Sequence, residues 1–440
     1  MPEVRSFRAL RFDPKIAGAM STVVCPPYDV IGPELQQQLL RRSSRNAIRI
    51  DLPEAQPRDE PEDRYRRAGK LLTEWRADGT LHKDLHAGIY VYEQTYLLPG
   101  TRKHRSQIGF FGRLKLETFG PGAGVLPHER TLSAPKEDRY RLMRATNVNT
   151  SPVVGLYTDP RGASVRAMKE IAATSPDIDV TDDDGVRHRV WAVTEKGPFA
   201  DRVRVMLAAA GRDPITIADG HHRYETAIRF RDERRANRTG ETDPAWDYVL
   251  MLFLETTRQK LTVLPTHRIV RELGDDGVAT FLSRAHELFD VEAVDGRAAL
   301  ESAFARVDRF PGGDGRFGLW TRQGGAILHA RRDAFVRFLP PGGAAVSRLD
   351  VTLLQTALNR LSKIDREAIA AGRLAYTKSV REALDWVDRG HEGADMAFLL
   401  DPTPVAEITA VAADGDVMPQ KSTYFYPKAL TGLIINPHEW

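Results

Sequence analysis

Apolar positions recur along this chain with two different periods, and the switch between them outlines the elements. In RYRRAGKLLTEWRADGTL, Tyr65, Ala68, Leu72 and Trp75 share one helical face, and Gly79 supplies the stop. GIYVYEQTYLLPG and IGFFGRLKLETFG alternate as strands do, which predicts a hairpin around Pro99-Gly100. After Pro135, KEDRYRLMRATNV reads as a helix, SPVVGLYTD as a strand and the acidic TDDDG at 181–185 as a turn. Ile215 to Ala218 is short, apolar and β-branched, so a buried strand is expected, with a helix from Tyr224 onward carrying Ala227, Ile228 and Arg231. Val249 to Leu254 and the run from Leu261, LTVLPTHRIV, each predict a further buried strand. Leu349 to Leu361 and Ser379 to Gly390 have amphipathic helical spacing, and MAFLLDP reads as a strand. Strands separated by helices predict a mixed α/β chain of the α+β class.

Punctuation divides the chain. Leu52 to Asp63 is an acidic, proline-rich surface loop, and PGGDG at 311–315 and PPGGAA at 340–345 mark two more. A chain of 440 residues suggests two or three compact units. We divide it into an N-terminal α/β segment (1–105), a core (106–270) and a C-terminal α/β segment (271–440).

Composition narrows the function. Lys+Arg 63 against Asp+Glu 60 leaves +3, too balanced for a protein that coats nucleic acid. Cys25 is the only cysteine, which excludes an internal disulfide and any thiolate metal cluster. The N-terminus lacks a signal-like apolar stretch, and the most apolar run falls far short of the roughly 20 residues that span a bilayer. The expectation is a soluble cytoplasmic protein that does not engage a membrane; its oligomeric state is not legible.

The sharpest chemical signal is Asp219-Gly220-His221-His222-Arg223 at a strand-to-helix junction. A helix N-terminus offers unpaired N–H groups and partial positive charge to phosphate. Gly220 allows close backbone approach, Arg223 brings a planar fork, and His221 and His222 can donate hydrogen bonds or supply a proton. Asp219 could hold Mg²⁺ or orient a substrate hydroxyl. The bland alternative is a capped helix with surface histidines. Pro127-His128-Glu129-Arg130-Thr131 follows a glycine-rich loop and offers Glu129 as a general base and Arg130 as a phosphate clamp, or merely an exposed ion pair. In Pro26-Pro27-Tyr28-Asp29, Asp29 reads equally as a site carboxylate or a turn residue. Pro265 to Arg268 places a His–Arg pair after a buried strand, where it can face the same cleft as the pentapeptide. Gly415 to Ser422 approaches a P-loop, but Gln420 replaces the required glycine and Pro419 removes an N–H, so only Lys421 is retained as a phosphate contact.

Five motifs in order, PPYDVI, PHERT, ADGHHRYETA, LPTHR and MPQKSTYFYPK, make the chain from about Phe7 to Ile435 resemble the bacterial domain of unknown function 1015 family. More distantly, the pentapeptide is similar to that of the ParB/sulfiredoxin superfamily, with N- and C-terminal additions around such a core. Members similar in this motif phosphorylate free L-serine with a nucleotide donor; others bind CTP and DNA or activate a sulfinic acid. The resemblance implies that Asp219, Gly220, His221, His222 and Arg223, with His128 and Arg130, contact a nucleotide or its phosphates. It makes Glu129 the catalytic acid that precedes the motif, with Asp29 as rival, although roughly 60 residues intervene between Ser151 and Ile215. Cys25 lies outside the pentapeptide, so sulfiredoxin chemistry is set aside. The expected activity is a small-molecule kinase acting on a hydroxyl metabolite, foremost free L-serine, with Mg²⁺ and ATP, ADP or pyrophosphate as donor, Asp219 and His222 assisting, and Arg268 and Lys421 adding positive charge. The alternatives are a ParB-like nucleotide-binding regulator and a phosphohydrolase.

Overall fold

The eight residues Tyr248–Glu255 form a strand with every side chain buried, and the first sheet is built around it. It runs antiparallel to His104–Lys115 and parallel to Val153–Tyr157. An unbroken apolar strand needs cover on both faces, and the sheet receives it. The computed structural model describes every residue except Arg130, Leu132, Arg238, Thr239 and 309–311. Among the described residues this sheet has nine strands, drawn from Val4–Arg5 through Tyr248–Glu255. The predicted hairpin is present as Gly88–Leu97 paired with His104–Lys115, and it crosses the expected boundary at residue 105. The stretch between Ser151 and Ile215 is filled by Ala163–Ala172, Ile178–Thr181, Arg187–Thr194 and Ala200–Ala210, which extend and cover this sheet.

Three more helices stack in series, Asp63–Ala77 on Ser133–Thr146 and that on His221–Asn237, and the last two share an apolar cluster on one face of the sheet with Ala163–Ala172 and Ala200–Ala210. The first crossing is so close that a Cβ at Gly69 would sit 2.3 Å from the Ala145 carbonyl oxygen.

A second, fully antiparallel sheet of six described strands runs in the order Phe289–Val294, Gly324–Ala330, Arg316–Thr321, Ala394–Leu400, His267–Arg271, Leu374–Thr377. Val380–Arg389 covers one face, capped by Ser379 and ended by left-handed Gly390. The run from Leu261 does not form one strand. Pro265 cannot donate to a ladder, so the chain breaks there. Thr262–Leu264 pairs with Tyr424–Tyr426 in a separate ribbon, and His267–Arg271 enters the second sheet. The closing residues then return to the first sheet, where Arg113 donates to Asn436 Oδ1 at 2.6 Å, and to the separate ribbon of Leu10–Phe12 and Leu81–Lys83, where Ile435 exchanges backbone bonds with Leu10. The fold is therefore of the α+β class, with the ribbon and tail joining elements distant in sequence.

Candidate active site

The strand Ile215–Asp219 pairs antiparallel with Val153–Tyr157, and its register shifts between Ile217 and Asp219. Gly220 follows at φ +89° and reverses the chain into the helix His221–Asn237. That helix begins at His221, three residues earlier than the apolar spacing from Tyr224 indicated, so both histidines and Arg223 lie in its first turn. Asp219 is held between two cations: Lys428 Nζ donates to Oδ1 at 2.6 Å and Arg223 Nη2 to Oδ2 at 2.6 Å. Burial works to raise the Asp219 pKa, but Lys428 and Arg223 outweigh it and hold the carboxyl well below the ordinary range. The other arm of Arg223 donates to the Pro152 carbonyl. Its fork is thus turned inward, tying the helix to the strand beside it.

His221 is buried, and its Nε2 accepts the His128 N–H at 3.2 Å; the two rings meet nearly edge to face, with centroids 4.6 Å apart. His128 Nδ1 donates to the Ile217 carbonyl at 2.5 Å, which leaves Nε2 to accept from Thr423 Oγ1 at 3.1 Å. Burial lowers the His128 pKa to about 4, so this ring is neutral at pH 7. These two histidines fasten the loop to the helix. His222 is half-buried, its pKa lowered by burial and then by the neighbouring Lys421 charge.

Glu129 lies alongside Met418, whose N–H donates to the His128 carbonyl at 2.8 Å. Glu129 Oε1 accepts the backbone N–H of Lys421 at 3.0 Å, and Lys421 takes φ +55° there. Burial pushes the Glu129 pKa up, opposed by the Lys421 N–H and ammonium. The Lys421 side chain is exposed. Thr131 Oγ1 and Lys136 Nζ both donate to Glu225, at 2.8 and 2.7 Å, which secures the end of this loop. Arg130 lies outside the described residues.

Asp29 is exposed on the short turn Tyr28–Val30, close enough for its charge to act on Arg223, Lys428 and His222. Beside it Tyr28 stacks on the Arg139 guanidinium at 4.0 Å. The His–Arg pair of LPTHR is split by strand alternation. His267 is buried, and its Nδ1 accepts the Leu400 N–H at 3.2 Å. Arg268 points the other way, over the Tyr376 ring at 5.1 Å, and senses the charge of Glu129. One region therefore gathers Glu129, Asp29 and Asp219 with Arg268, Lys421, His222 and Lys428.

Sequence reasoning noted Tyr424 and Lys428 in the tail without giving either a role, and it missed Tyr376 and Lys378. The Tyr424 ring carries Lys378 Nζ at 4.6 Å and Lys428 Nζ at 4.4 Å. Lys428 and Tyr424 belong to the aromatic-rich tail, whose composition was the available signal; Tyr376 and Lys378 carried none. Asp219 does not fit the role of Mg²⁺ ligand, because both oxygens already accept from cations, and among the described residues no three His, Cys, Asp or Glu side chains gather to hold an ion.

A family model described as "Protein of unknown function (DUF1015)" matches residues 4–352. No curated protein matches the chain. Among solved structures, a free serine kinase in complex with AMP is similar at 13% identity and a TM-score of 0.34, over 68% of this chain and 83% of that one. A conserved hypothetical protein from Pyrococcus furiosus is similar at 15% identity and a TM-score of 0.33, over 69% and 90%. SbnI with a C-terminal truncation, from Staphylococcus aureus, is similar at 10% identity and a TM-score of 0.35, over 71% and 83%. Likenesses this distant say nothing of what this chain binds or does.

Proposed function

The chain belongs to the DUF1015 family, and from that premise we propose that it is a small-molecule phosphotransferase, moving a phosphoryl group from a nucleotide or pyrophosphate to the hydroxyl of a metabolite. The observation that carries this reading is Glu129: a half-buried carboxyl with a raised pKa, oriented by one backbone N–H, beside the cations Arg268, Lys421 and Lys428. A carboxylate base with a raised pKa next to concentrated positive charge suits phosphoryl transfer to an alcohol.

In the proposed step the acceptor hydroxyl oxygen attacks the terminal phosphorus of the donor. The bond from phosphorus to the bridging oxygen breaks, the shortened donor leaves with that electron pair, and the hydroxyl proton passes to Glu129. Lys421 and His222, with the N-terminal N–H groups of the helix His221–Asn237, offset the charge on the phosphoryl oxygens. Asp219, Arg223 and Lys428 form the rigid floor, since their charges are satisfied by one another. Asp29 stands at the rim as the rival base.

The test is incubation of the full chain with ATP, ADP or pyrophosphate, Mg²⁺ and a panel of hydroxyl metabolites headed by L-serine, read by mass spectrometry. A phosphorylated acceptor supports the proposal. Phosphate release without an acceptor makes the chain a hydrolase, and nucleotide binding without turnover, unchanged in Glu129→Gln, makes it a binding module.

A further inference from the structure

A chain of three titratable side chains on the first sheet takes no part in the site. Tyr92 of Gly88–Leu97 is 1% exposed and His188 of Arg187–Thr194 is 0% exposed. The Tyr92 hydroxyl lies 2.6 Å from His188 Nδ1, and His188 Nε2 lies 3.0 Å from Asp182 Oδ2 in the acidic turn. The direction of each hydrogen bond follows from the carboxylate end. Asp182 Oδ1 accepts the N–H groups of Asp184 and Val186, at 3.0 and 2.8 Å, and an ionised carboxylate can only accept. His188 Nε2 therefore carries the proton and donates to Asp182, while Nδ1 accepts from the Tyr92 hydroxyl. The Tyr92 oxygen is left to accept the backbone N–H of Leu430 in the tail. Beside it Gln94, its carbonyl taken by Gln107 Nε2 at 2.8 Å, donates to the Lys428 carbonyl at 3.0 Å. The segment so held is the one whose lysine binds Asp219.

We infer that Tyr92, His188 and Asp182 form a proton-operated latch on the tail: a second proton on His188 releases Leu430 and loosens the segment that carries Lys428. With the ring neutral, every polar hydrogen in the chain has an acceptor. A doubly protonated ring donates from both nitrogens. Its Nδ1–H then meets the Tyr92 oxygen, and the hydroxyl hydrogen loses the acceptor it had, beside the apolar cluster that includes Phe111, Val190 and Leu430. A buried donor left unpaired is costly, and withdrawal of the tail, which lets water reach the hydroxyl, relieves it. The Asp182 end tightens meanwhile, because its hydrogen bond becomes an ion pair. The other charges nearby are already committed. Arg187 and Arg189 flank His188 on the opposite face by strand alternation, paired with Asp179 and Glu93. Asp183 is paired with Arg42, and Tyr426 of the ribbon senses Asp182 and Asp184. Thr431, next to Leu430, exchanges backbone bonds with Cys25 just before PPYDVI. The latch thus joins the first sheet, the tail and the segment that carries Asp29, and it stands independently of what the site transfers.

The experiment follows hydrogen–deuterium exchange of the full chain from pH 8 to pH 5, corrected for the intrinsic pH dependence of exchange. The buried strand Tyr248–Glu255 serves as internal reference, so that global unfolding is separated from opening of the tail. In wild type, protection of the amides at 428–431 should fall roughly tenfold relative to that strand, the loss of one buried hydrogen-bonded contact. In His188→Gln, whose amide does not titrate, the ratio should stay constant across the same range. Tyr92→Phe, which has no hydroxyl to leave unpaired, should show a low ratio at every pH. A ratio that does not change with pH in wild type, or that changes equally in Tyr92→Phe, overturns the inference. Should a variant fail to fold, wild type alone gives a second reading. Long-range proton–nitrogen NMR at pH 8 should show His188 protonated at Nε2 and bare at Nδ1; a proton on Nδ1 contradicts the chain and removes the latch.

Discussion

The backbone N–H of Lys421 donates to Glu129 Oε1 at 3.0 Å across 292 positions of sequence. The tail motif thus orients the carboxyl of the PHERT loop, and neither half of the site is complete without the other. Because Glu129 must be ionised to accept a proton, its raised pKa sets the acid limb of the rate profile. As pH falls through that value, kcat/KM should fall, at a pH above the ordinary carboxylate range. Glu129→Gln should lower kcat/KM by about 10²–10⁴ and abolish that limb. A pH profile of wild type, compared with the variant at its plateau, checks both.

Lys421→Ala tests a different contribution. Its ammonium is exposed, so removal should leave the unfolding midpoint nearly unchanged. Affinity for the phosphate donor should weaken by roughly tenfold, as expected for one charged contact, measured by titration with ATP or pyrophosphate.

The Asp219 triad should behave oppositely, as a structural unit. Lys428→Met leaves a buried carboxylate with one cation fewer, a change worth about 3–5 kcal/mol of stability. Asp219→Asn combined with Lys428→Met should cost less than the sum of the single changes, since the pair is removed together. Denaturant unfolding of the three variants reads this directly. The sign in pH follows from the depressed Asp219 pKa: the triad's contribution is fully present above the unfolded aspartate value and is lost only as pH falls below it.

Gly220→Ala should be destabilising by about 1–3 kcal/mol, because φ +89° is unfavourable for any L side chain. The added Cβ would also meet Arg223 Nε at 3.0 Å and press on the guanidinium that holds Asp219. Thermal unfolding and turnover should decline together in this variant.

Four buried histidines with lowered pKa values, His128, His221, His267 and His438, contribute to the acid stability of the chain. His128 has a pKa lowered to about 4, and His267 and His438 are each lowered to about 3, burial being the first cause in all three. The unfolded chain takes up these protons near the ordinary histidine pKa of about 6.5 and the folded one does not. Stability is therefore complete above about 6.5 and drains as pH falls toward the folded values. The unfolding temperature should drop by several degrees between pH 7 and pH 5, and the imidazole resonances of these residues should not titrate above pH 5.

Much of this was legible from local pattern. The strand ending at Asp219, the helix beyond it and the hairpin around Pro99-Gly100 all follow from period and punctuation. The motifs PPYDVI, PHERT, DGHHR and the tail also meet in one region. What pattern could not show is which way each charge points. Arg223 reads in sequence as a phosphate fork, yet Asp219 and the Pro152 carbonyl occupy its arms. His221 reads as a hydrogen-bond donor or proton source for a ligand, yet its Nε2 accepts from a loop 93 positions away. These outcomes depend on non-local pairing. So does the split of LTVLPTHRIV, where one proline sends the two halves into different sheets and turns Arg268, but not His267, toward Glu129. Tyr376 lies on a short strand of ordinary composition, and nothing short of the fold marks it.

The most direct test of the central claim is phosphorus NMR of the full chain with donor, Mg²⁺ and L-serine, run in parallel with Glu129→Gln. The account expects a new phosphomonoester resonance that grows with time in wild type and is absent in the variant. A phosphoester that accumulates equally in both would contradict it.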